Sequence, residues 1–193
     1  MKGISALIVP GGFGQRGVEG KILAIQVARQ KKIPFLGICL GMQLACIELA
    51  RSEAGLKKAH SQEFDLTTTE AVIHYLVGQS ADMKKGGTMR LGAYPCKISK
   101  DSLSAKLYGT FDIMERHRHR LEFNLEFKPA LEKAGMDFVG LSPDGKLVEM
   151  IELKNHPFFV GVQFHPEFLS KPFVPHPLFK GWVKAALDNG LRK

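Results

Sequence analysis

The sequence predicts an α/β fold built on a parallel sheet, and three observations near its start carry the prediction. Two apolar runs of strand length, residues 4–9 and 33–38, read as buried strands. The segments that follow them, residues 18–31 and 40–51, have the apolar spacing of amphipathic helices, with Ile22, Ile25, Val27 and Ala28 marking the first. Each strand ends in a glycine turn, Pro10-Gly11-Gly12 after the first and Gly37-Ile38-Cys39-Leu40-Gly41 after the second. Strand, helix, strand, helix in this order is a βαβ unit, whose strands must be parallel.

The remaining elements are read in order. Residues 60–85 are mostly polar around one apolar patch at 71–77, and are expected to be rich in loops. Residues 89–98 read as a strand. Residues 138–142, 147–153 and 158–163 read as three more, the last two forming a hairpin across Lys154-Asn155-His156-Pro157. These add an antiparallel extension to the parallel sheet. A closing helix is expected from Pro177 to Leu187, stopped by Asn189-Gly190. No repeat or low-complexity linker interrupts the chain. At 193 residues and 45% hydrophobic it suffices for one domain with one sizeable core.

Composition narrows the function. No apolar run reaches the roughly 20 residues of a membrane span, and the N-terminus is apolar too briefly for a signal peptide. The expectation is a cytoplasmic protein with no membrane partner. Three cysteines, Cys39, Cys46 and Cys96, make no disulfide framework, and none are paired at zinc-binding spacing. Lys and Arg exceed Asp and Glu by 27 to 19, a formal charge of +8, which suits an anionic partner or a solvated basic surface. The basic residues are scattered and no nucleic-acid motif is present, so nucleic acid is not expected.

Chemistry concentrates at Gly37-Ile38-Cys39-Leu40-Gly41. Gly-x-Cys-x-Gly is the cysteine form of the nucleophile elbow, a strained turn between strand and helix. One glycine allows strand and helix to pack closely, and the other keeps the approach to the side chain open. A helix N-terminus should also favour the thiolate of Cys39. Cys46 and Cys96 lack this setting and read as buried core residues. A thiol adding to a carboxamide makes an oxyanion that needs two backbone donors. Leu40 supplies one N–H, and Gly12, in the loop after the neighbouring strand, supplies the other.

Among seven histidines, His165 is the candidate base, because Phe164-His165-Pro166-Glu167-Phe168 follows a strand end. A two-residue offset in extended backbone puts His165 and Glu167 on one side. Glu167 would then fix the imidazole tautomer and steady the imidazolium. The run Glu115-Arg116-His117-Arg118-His119-Arg120 fails as a metal site, since it offers two histidines and three repelling arginines. If extended, it places Arg116, Arg118 and Arg120 on one face, where an arginine fork can grip a carboxylate.

With these residues in view, the chain resembles the glutaminase domain of CTP synthases, within the class I, triad-type glutamine amidotransferases. The matching segments are Pro10–Gly17, Phe35–Gln43, Gly86–Gly92, Glu115–Arg120 and Gln163–Phe168. The elbow and the His-Pro-Glu run are common to the whole class. Gly-Gly-Thr-Met-Arg-Leu-Gly and Arg-His-Arg-His-Arg mark the CTP synthases. The resemblance implies a flavodoxin-like, three-layer α/β domain with a mostly parallel sheet. It implies Cys39, His165 and Glu167 as the triad, Gly12 and Leu40 as the oxyanion hole, and glutamine held by Gly12, Leu40, Gly41, Met42, Gln43, Glu63 and Arg120. A free amino acid presents an ammonium for Glu63 and a carboxylate for Arg120. GTP is implied as an allosteric effector, with Phe13, Arg16 and Arg90 in the responding loops.

The resemblance also implies that ammonia passes to an amidoligase domain, which uses ATP and Mg to convert UTP into CTP. This domain needs no cofactor of its own. Residues 1–193 contain neither the amidoligase domain nor the first strand, helix and strand that open the glutaminase domain in the family. The expectation is therefore a single shortened domain with a complete triad, an exposed sheet edge, reduced stability and no CTP formation alone. Two other readings use the same residues: a stand-alone hydrolase of γ-glutamyl compounds, and an inactive partner-binding fragment.

Overall fold

The structure is a computed structural model that describes residues 3–76 and 89–191. Its strands are β1 (Leu7–Val9), β2 (Phe35–Ile38), β3 (His60–Ser61), β4 (Ala71–Tyr75), β5 (Arg90–Ile98), β6 (Asp112–His119), β7 (Leu121–Phe123), β8 (Met136–Leu141), β9 (Val148–Leu153) and β10 (Phe159–Val162). Its helices are α1 (Val18–Gln30), α2 (Leu40–Ser52), α3 (Leu103–Tyr108), α4 (Lys128–Lys133) and α5 (Pro177–Gly190).

A seven-stranded sheet runs in the order β1-β2-β10-β9-β8-β5-β6. The first three strands are parallel, as the βαβ pattern requires, and the others join antiparallel. The predicted extension is therefore the larger part of the sheet, and its β9–β10 hairpin forms in the predicted place. β1 is shorter than the apolar run suggested and lies at the edge of the sheet. Only Val9 in it is buried, and Ile8 is 36% exposed. Among the described residues no strand pairs with the outer flank of β1.

Alternation along the central strands creates the three layers. Phe35 of β2 and Phe159 of β10 point to the side of α1 and α2, their ring centroids 4.4 Å apart. Leu36, Ile38, Val160 and Val162 point the other way, packing with Leu103 and Leu107 near α3 and Phe179 and Trp182 of α5. Helix α2 is buried from Leu40 to Ala50, matching a sequence that is apolar on nearly every side. Its one buried carboxylate, Glu48, is gripped through two hydrogen bonds of 2.9 Å by Arg29 of α1.

The glycines of the elbow both serve packing. A Cβ on Gly37 would lie 2.7 Å from the backbone of Gly41, and one on Gly41 would lie 2.1 Å from the Val9 carbonyl oxygen. The expectation that one of them keeps the Cys39 approach open is thus replaced by a tight strand–helix contact. The smaller sheet, β3-β4-β7, packs beside the C-terminal end of the parallel strands through Ile73 and Phe123. It includes the predicted apolar patch up to Tyr75; Val77 lies outside the described residues.

Strand β6 has an inverted pattern. Asp112, Met114, Arg116 and Arg118 are exposed, while Ile113, Glu115, His117 and His119 are buried. The reading of this run as extended, with arginines on one face and histidines on the other, describes Arg116 to His119, whereas Arg120 lies past the end of the strand and lines the same cavity as His119. Glu115 accepts from Tyr108 of α3 and meets His176, the N-cap of α5, both at 2.8 Å. This ties β6 to the layer on that face.

Candidate active site

Cys39 occupies the single residue between β2 and α2, at φ 51° and ψ −103°. A left-handed φ on a residue with a side chain costs about 1–3 kcal/mol and persists only where the surroundings impose it. Here the Cys39 N–H donates to Val162 at 2.7 Å, and its carbonyl accepts from the Gln43 N–H at 3.2 Å. The side chain is thereby turned out of both elements.

The thiol is not a ready thiolate. Burial pushes it up to about 12, opposed by the Leu40 backbone N–H and reinforced by the charges of Glu63, Glu167 and Glu122. The helix start therefore acts in the expected direction but is outweighed by desolvation. Ionisation must be driven by a base at the moment of attack. Cys46 and Cys96 are fully enclosed core residues, also pushed up by burial.

The candidate base, His165, meets Glu167. His165 Nδ1 lies 2.6 Å from Glu167 Oε1, and its Nε2 is buried with no hydrogen-bond partner. The backbone between them is not extended as predicted. His165 precedes a 3-10 turn, Pro166–Phe168, and the two side chains meet across its first residue. Proline fits that position because its fixed φ suits a helical turn. The imidazole stacks on Phe168 at 4.9 Å with an interplanar angle of 14°, and the His165 backbone N–H donates to the Arg116 carbonyl at 2.8 Å. Burial raises the Glu167 carboxyl, but the hydrogen bond and charge of His165 hold it below its ordinary value.

Cys39 and His165 face each other across Gly11. A Cβ at Gly11 would stand 2.7 Å from His165 Cε1 and 3.5 Å from Cys39 Cβ. Gly11 thus leaves room for the imidazole, a role the sequence analysis did not assign. Gly12 follows it, and a Cβ there would stand 3.5 Å from the Leu40 Cδ2.

Beside Cys39 opens a cavity of about 320 Å³, lined among others by Gly12, Gln43, Glu63, Tyr75 and Arg120. That volume suits a small molecule. Glu63 also accepts from the Gly14 N–H at 2.9 Å, and the Arg120 guanidinium lies 5.3 Å from the Tyr75 ring centroid. One cavity thus holds a thiol, a carboxylate and a guanidinium, as a bound amino acid requires. His119 and Tyr75 line it as well and were not singled out from the sequence.

Other predicted residues lie elsewhere. Gly41 and Met42 do not line the cavity: Gly41 abuts Val9, and Met42 is fully buried against Gly161. Phe13 is exposed at the cavity rim with Arg118 5.9 Å from its ring, and Arg16 is exposed in the same loop. Arg90 does not face an effector. It is turned inward, 2.8 Å from Glu149 and 3.2 Å from Glu122, over the Tyr94 ring. Two buried carboxylates would otherwise have no cation, which is why this arginine is drawn in. Residues 86–88 of the same predicted loop lie outside the described residues.

His117 and His119 are hydrogen-bonded to each other at 2.9 Å, and His119 to the Leu121 carbonyl at 3.1 Å. Burial and the nearby Arg90 push both down, His119 to about 3, so they are neutral. Among the described residues, no group of three or more His, Cys, Asp or Glu could hold a metal ion, and no helix is long and apolar enough to cross a membrane.

The family profile for glutamine amidotransferase class-I matches residues 1–185. CTP synthase from Fibrobacter succinogenes (strain ATCC 19169 / S85) is 60% identical over 191 residues, which is 98% of this chain and 34% of that protein. CTP synthase from Synechococcus sp. (strain CC9902) is 56% identical over 186 residues, 96% of this chain and 34% of that protein. The chain spans about a third of the length of these curated relatives. The solved glutaminase domain of Trypanosoma brucei CTPS, with acivicin bound, superposes with a TM-score of 0.90 at 41% identity. That likeness covers 96% of this chain and 72% of the solved one. A glutamine amidotransferase from Thermotoga maritima, at 19% identity and a TM-score of 0.53, shares the fold alone.

Proposed function

Because the chain belongs to the class-I glutamine amidotransferase family, among the glutaminase domains of CTP synthases, we propose that it hydrolyses glutamine through a Cys39 thioester and supplies the ammonia that aminates UTP to CTP. The carrying observation is His165, held through Nδ1 by Glu167, with a buried Nε2 that has no hydrogen-bond partner among the described residues and a ring that shares the space over Gly11 with Cys39.

Glutamine enters the cavity with its ammonium at Glu63 and its carboxylate at Arg120, which directs the side-chain amide towards Cys39. His165 Nε2 takes the thiol proton as the sulfur adds to the amide carbon. The negative charge moves to the amide oxygen, where the N–H groups of Leu40 and Gly12 receive it. His165 returns the proton to the amide nitrogen, the C–N bond breaks, and ammonia leaves a thioester. The same Nε2 then takes a proton from water, whose oxygen adds to the thioester. The carbon–sulfur bond breaks, and glutamate and the thiol are restored.

None of these steps needs a cofactor. ATP and Mg belong to the amidoligase domain that receives the ammonia, the partner of this one. GTP is proposed as the activator, through Phe13 and Arg16 in the loop that also carries Gly11 and Gly12. The setting is cytoplasmic, where these nucleotides are found.

The test is labelling with acivicin followed by intact mass measurement. A single adduct that is lost in Cys39→Ala supports the reading, and ammonia release from glutamine should disappear with it. No adduct, or one that survives the substitution, overturns it. A rise in glutamine turnover on adding GTP tests the effector assignment.

A further inference from the structure

Gln163 carries no charge, but its side chain is fully buried beside the nucleophile. Its Nε2 lies 3.7 Å from Cys39 Sγ, within the range of an N–H···S hydrogen bond. Its Oε1 accepts from Gln43 Nε2 at 3.1 Å. Gln43 Nε2 donates a second time, to the Leu121 carbonyl, at 3.2 Å.

This chain of contacts fixes which way the Gln163 amide points. A backbone carbonyl can only accept, so the Gln43 atom facing Leu121 must be its NH₂ group. The Gln163 atom facing that NH₂ must then be the oxygen, and its own NH₂ is left aimed at the sulfur. An inverted amide would set two NH₂ groups against each other and an oxygen against the sulfur. The backbone of the residue is held as well, its N–H donating to the Glu149 backbone carbonyl at 2.9 Å.

We infer that Gln163 is a further residue of the catalytic apparatus, a fixed N–H donor that aims the Cys39 sulfur and stabilises its thiolate. The inference rests on the reading of Cys39 as nucleophile. The surroundings make such a donor valuable, because burial and three carboxylates all oppose the anion, and only the Leu40 N–H otherwise favours it. His165 removes the proton; Gln163 lowers the energy of what remains. Gln163, His165 and Glu167 are spaced by two residues, so one stretch of chain carries the thiolate donor, the base and the base's orienter.

The test uses Gln163→Met, which keeps the length of the side chain and removes both polar atoms. Two rates are followed on the whole chain: inactivation by acivicin, and alkylation of Cys39 by iodoacetamide, a small electrophile that needs no glutamine site. A lost hydrogen bond to an anion corresponds to about one pH unit. Iodoacetamide should therefore react about tenfold more slowly at each pH, with inactivation by acivicin slowed to a similar degree. Rates within twofold of the parent protein overturn the inference. If near-ultraviolet dichroism shows that Gln163→Met is not folded, Gln43→Met decides, because it leaves the Gln163 amide unoriented. Slower alkylation of Cys39 in that variant supports the inference, and an unchanged rate overturns it. A parent protein that acivicin does not label at Cys39 would instead sink the nucleophile assignment.

Discussion

His165 Nδ1 approaches Glu167 Oε1 to 2.6 Å across a single proline, and the imidazole, which shares the space over Gly11 with Cys39, has its other nitrogen buried and unpartnered among the described residues. A carboxylate at this distance does two things. It keeps the proton of the neutral ring on Nδ1, so that Nε2 is the basic nitrogen, and it stabilises the imidazolium once Nε2 has taken a proton.

Glu167→Gln should therefore lower glutamine hydrolysis by about 10²-fold. The loss should be smaller than the 10⁴-fold known for a fully buried acid in such a triad, because Glu167 is 42% exposed and water can replace part of its charge. Stability should change by no more than about 0.5 kcal/mol, as for other exposed positions. Steady-state ammonia release and a thermal melt check both halves. A variant with parental turnover would remove Glu167 from the mechanism.

Gly11 and Gly12 should respond differently to alanine. At Gly11 the new methyl would lie 2.7 Å from His165 Cε1, closer than real contacts allow, and the ring would have to leave its place beside Cys39. At Gly12 the methyl meets only a Leu40 methyl, at 3.5 Å, an ordinary contact. Gly11→Ala should cost at least tenfold more glutaminase turnover than Gly12→Ala, both variants remaining folded. Equal turnover in the two would show that the imidazole is not confined by this loop.

The sequence revealed the parallel βαβ opening because β2, buried on both faces, is a continuous apolar run, and the apolar run of β1 precedes it by one helix. The elbow could be read for a related reason: glycines at 37 and 41 leave room for close backbone contacts that no other residue permits. Strand β6 was harder, because its inward face is Glu115, His117 and His119 and its outward face includes Met114, the reverse of the usual pattern. The inward course of Arg90 had no local signal either. It answers to Glu122 and Glu149, which are 32 and 59 residues further on. Gln163 did have one, since it precedes His165 by the same two residues that separate His165 from Glu167. Helices α3 and α4, each of six residues, are too short for apolar periodicity to reveal.

The buried thiol makes a prediction about reactivity. With Cys39 pushed up to about 12, its thiolate fraction rises tenfold per pH unit throughout the neutral range. Alkylation of Cys39 by iodoacetamide should therefore climb with a slope of one in log rate from pH 7 to pH 9.5, without a plateau. Acivicin, which occupies the glutamine site, should label rapidly at neutral pH by engaging His165 as base. Peptide mapping of the adduct against pH checks this, and a plateau below pH 8 would mean that the resting thiol is already ionised.

Arg90 makes the last prediction, one of stability. It is the cation shared by Glu149 and Glu122, whose side chains are 0% and 1% exposed. Arg90→Met leaves both carboxyls without a counter-charge and should cost about 3–5 kcal/mol, measured by denaturant unfolding. The parent protein should show the residual strain of two acids on one cation as a pH dependence. Burial raises Glu122 to about 8, against the pull of Arg90 and with the help of Glu149, which is itself raised by burial. His117 and His119 face the same cluster but are neutral in this range, because burial and Arg90 push them down. Unfolded, Glu122 loses its proton near the ordinary carboxylate value of 4.5, whereas the folded chain keeps it up to about 8. The folded state thus binds more protons in that window, so stability falls as pH rises through it and levels off above. Glu122→Gln should reduce the slope between about pH 5 and pH 8 in melts taken from pH 5 to pH 9. A slope that survives unchanged would show that Glu122 is ionised in the folded protein at neutral pH.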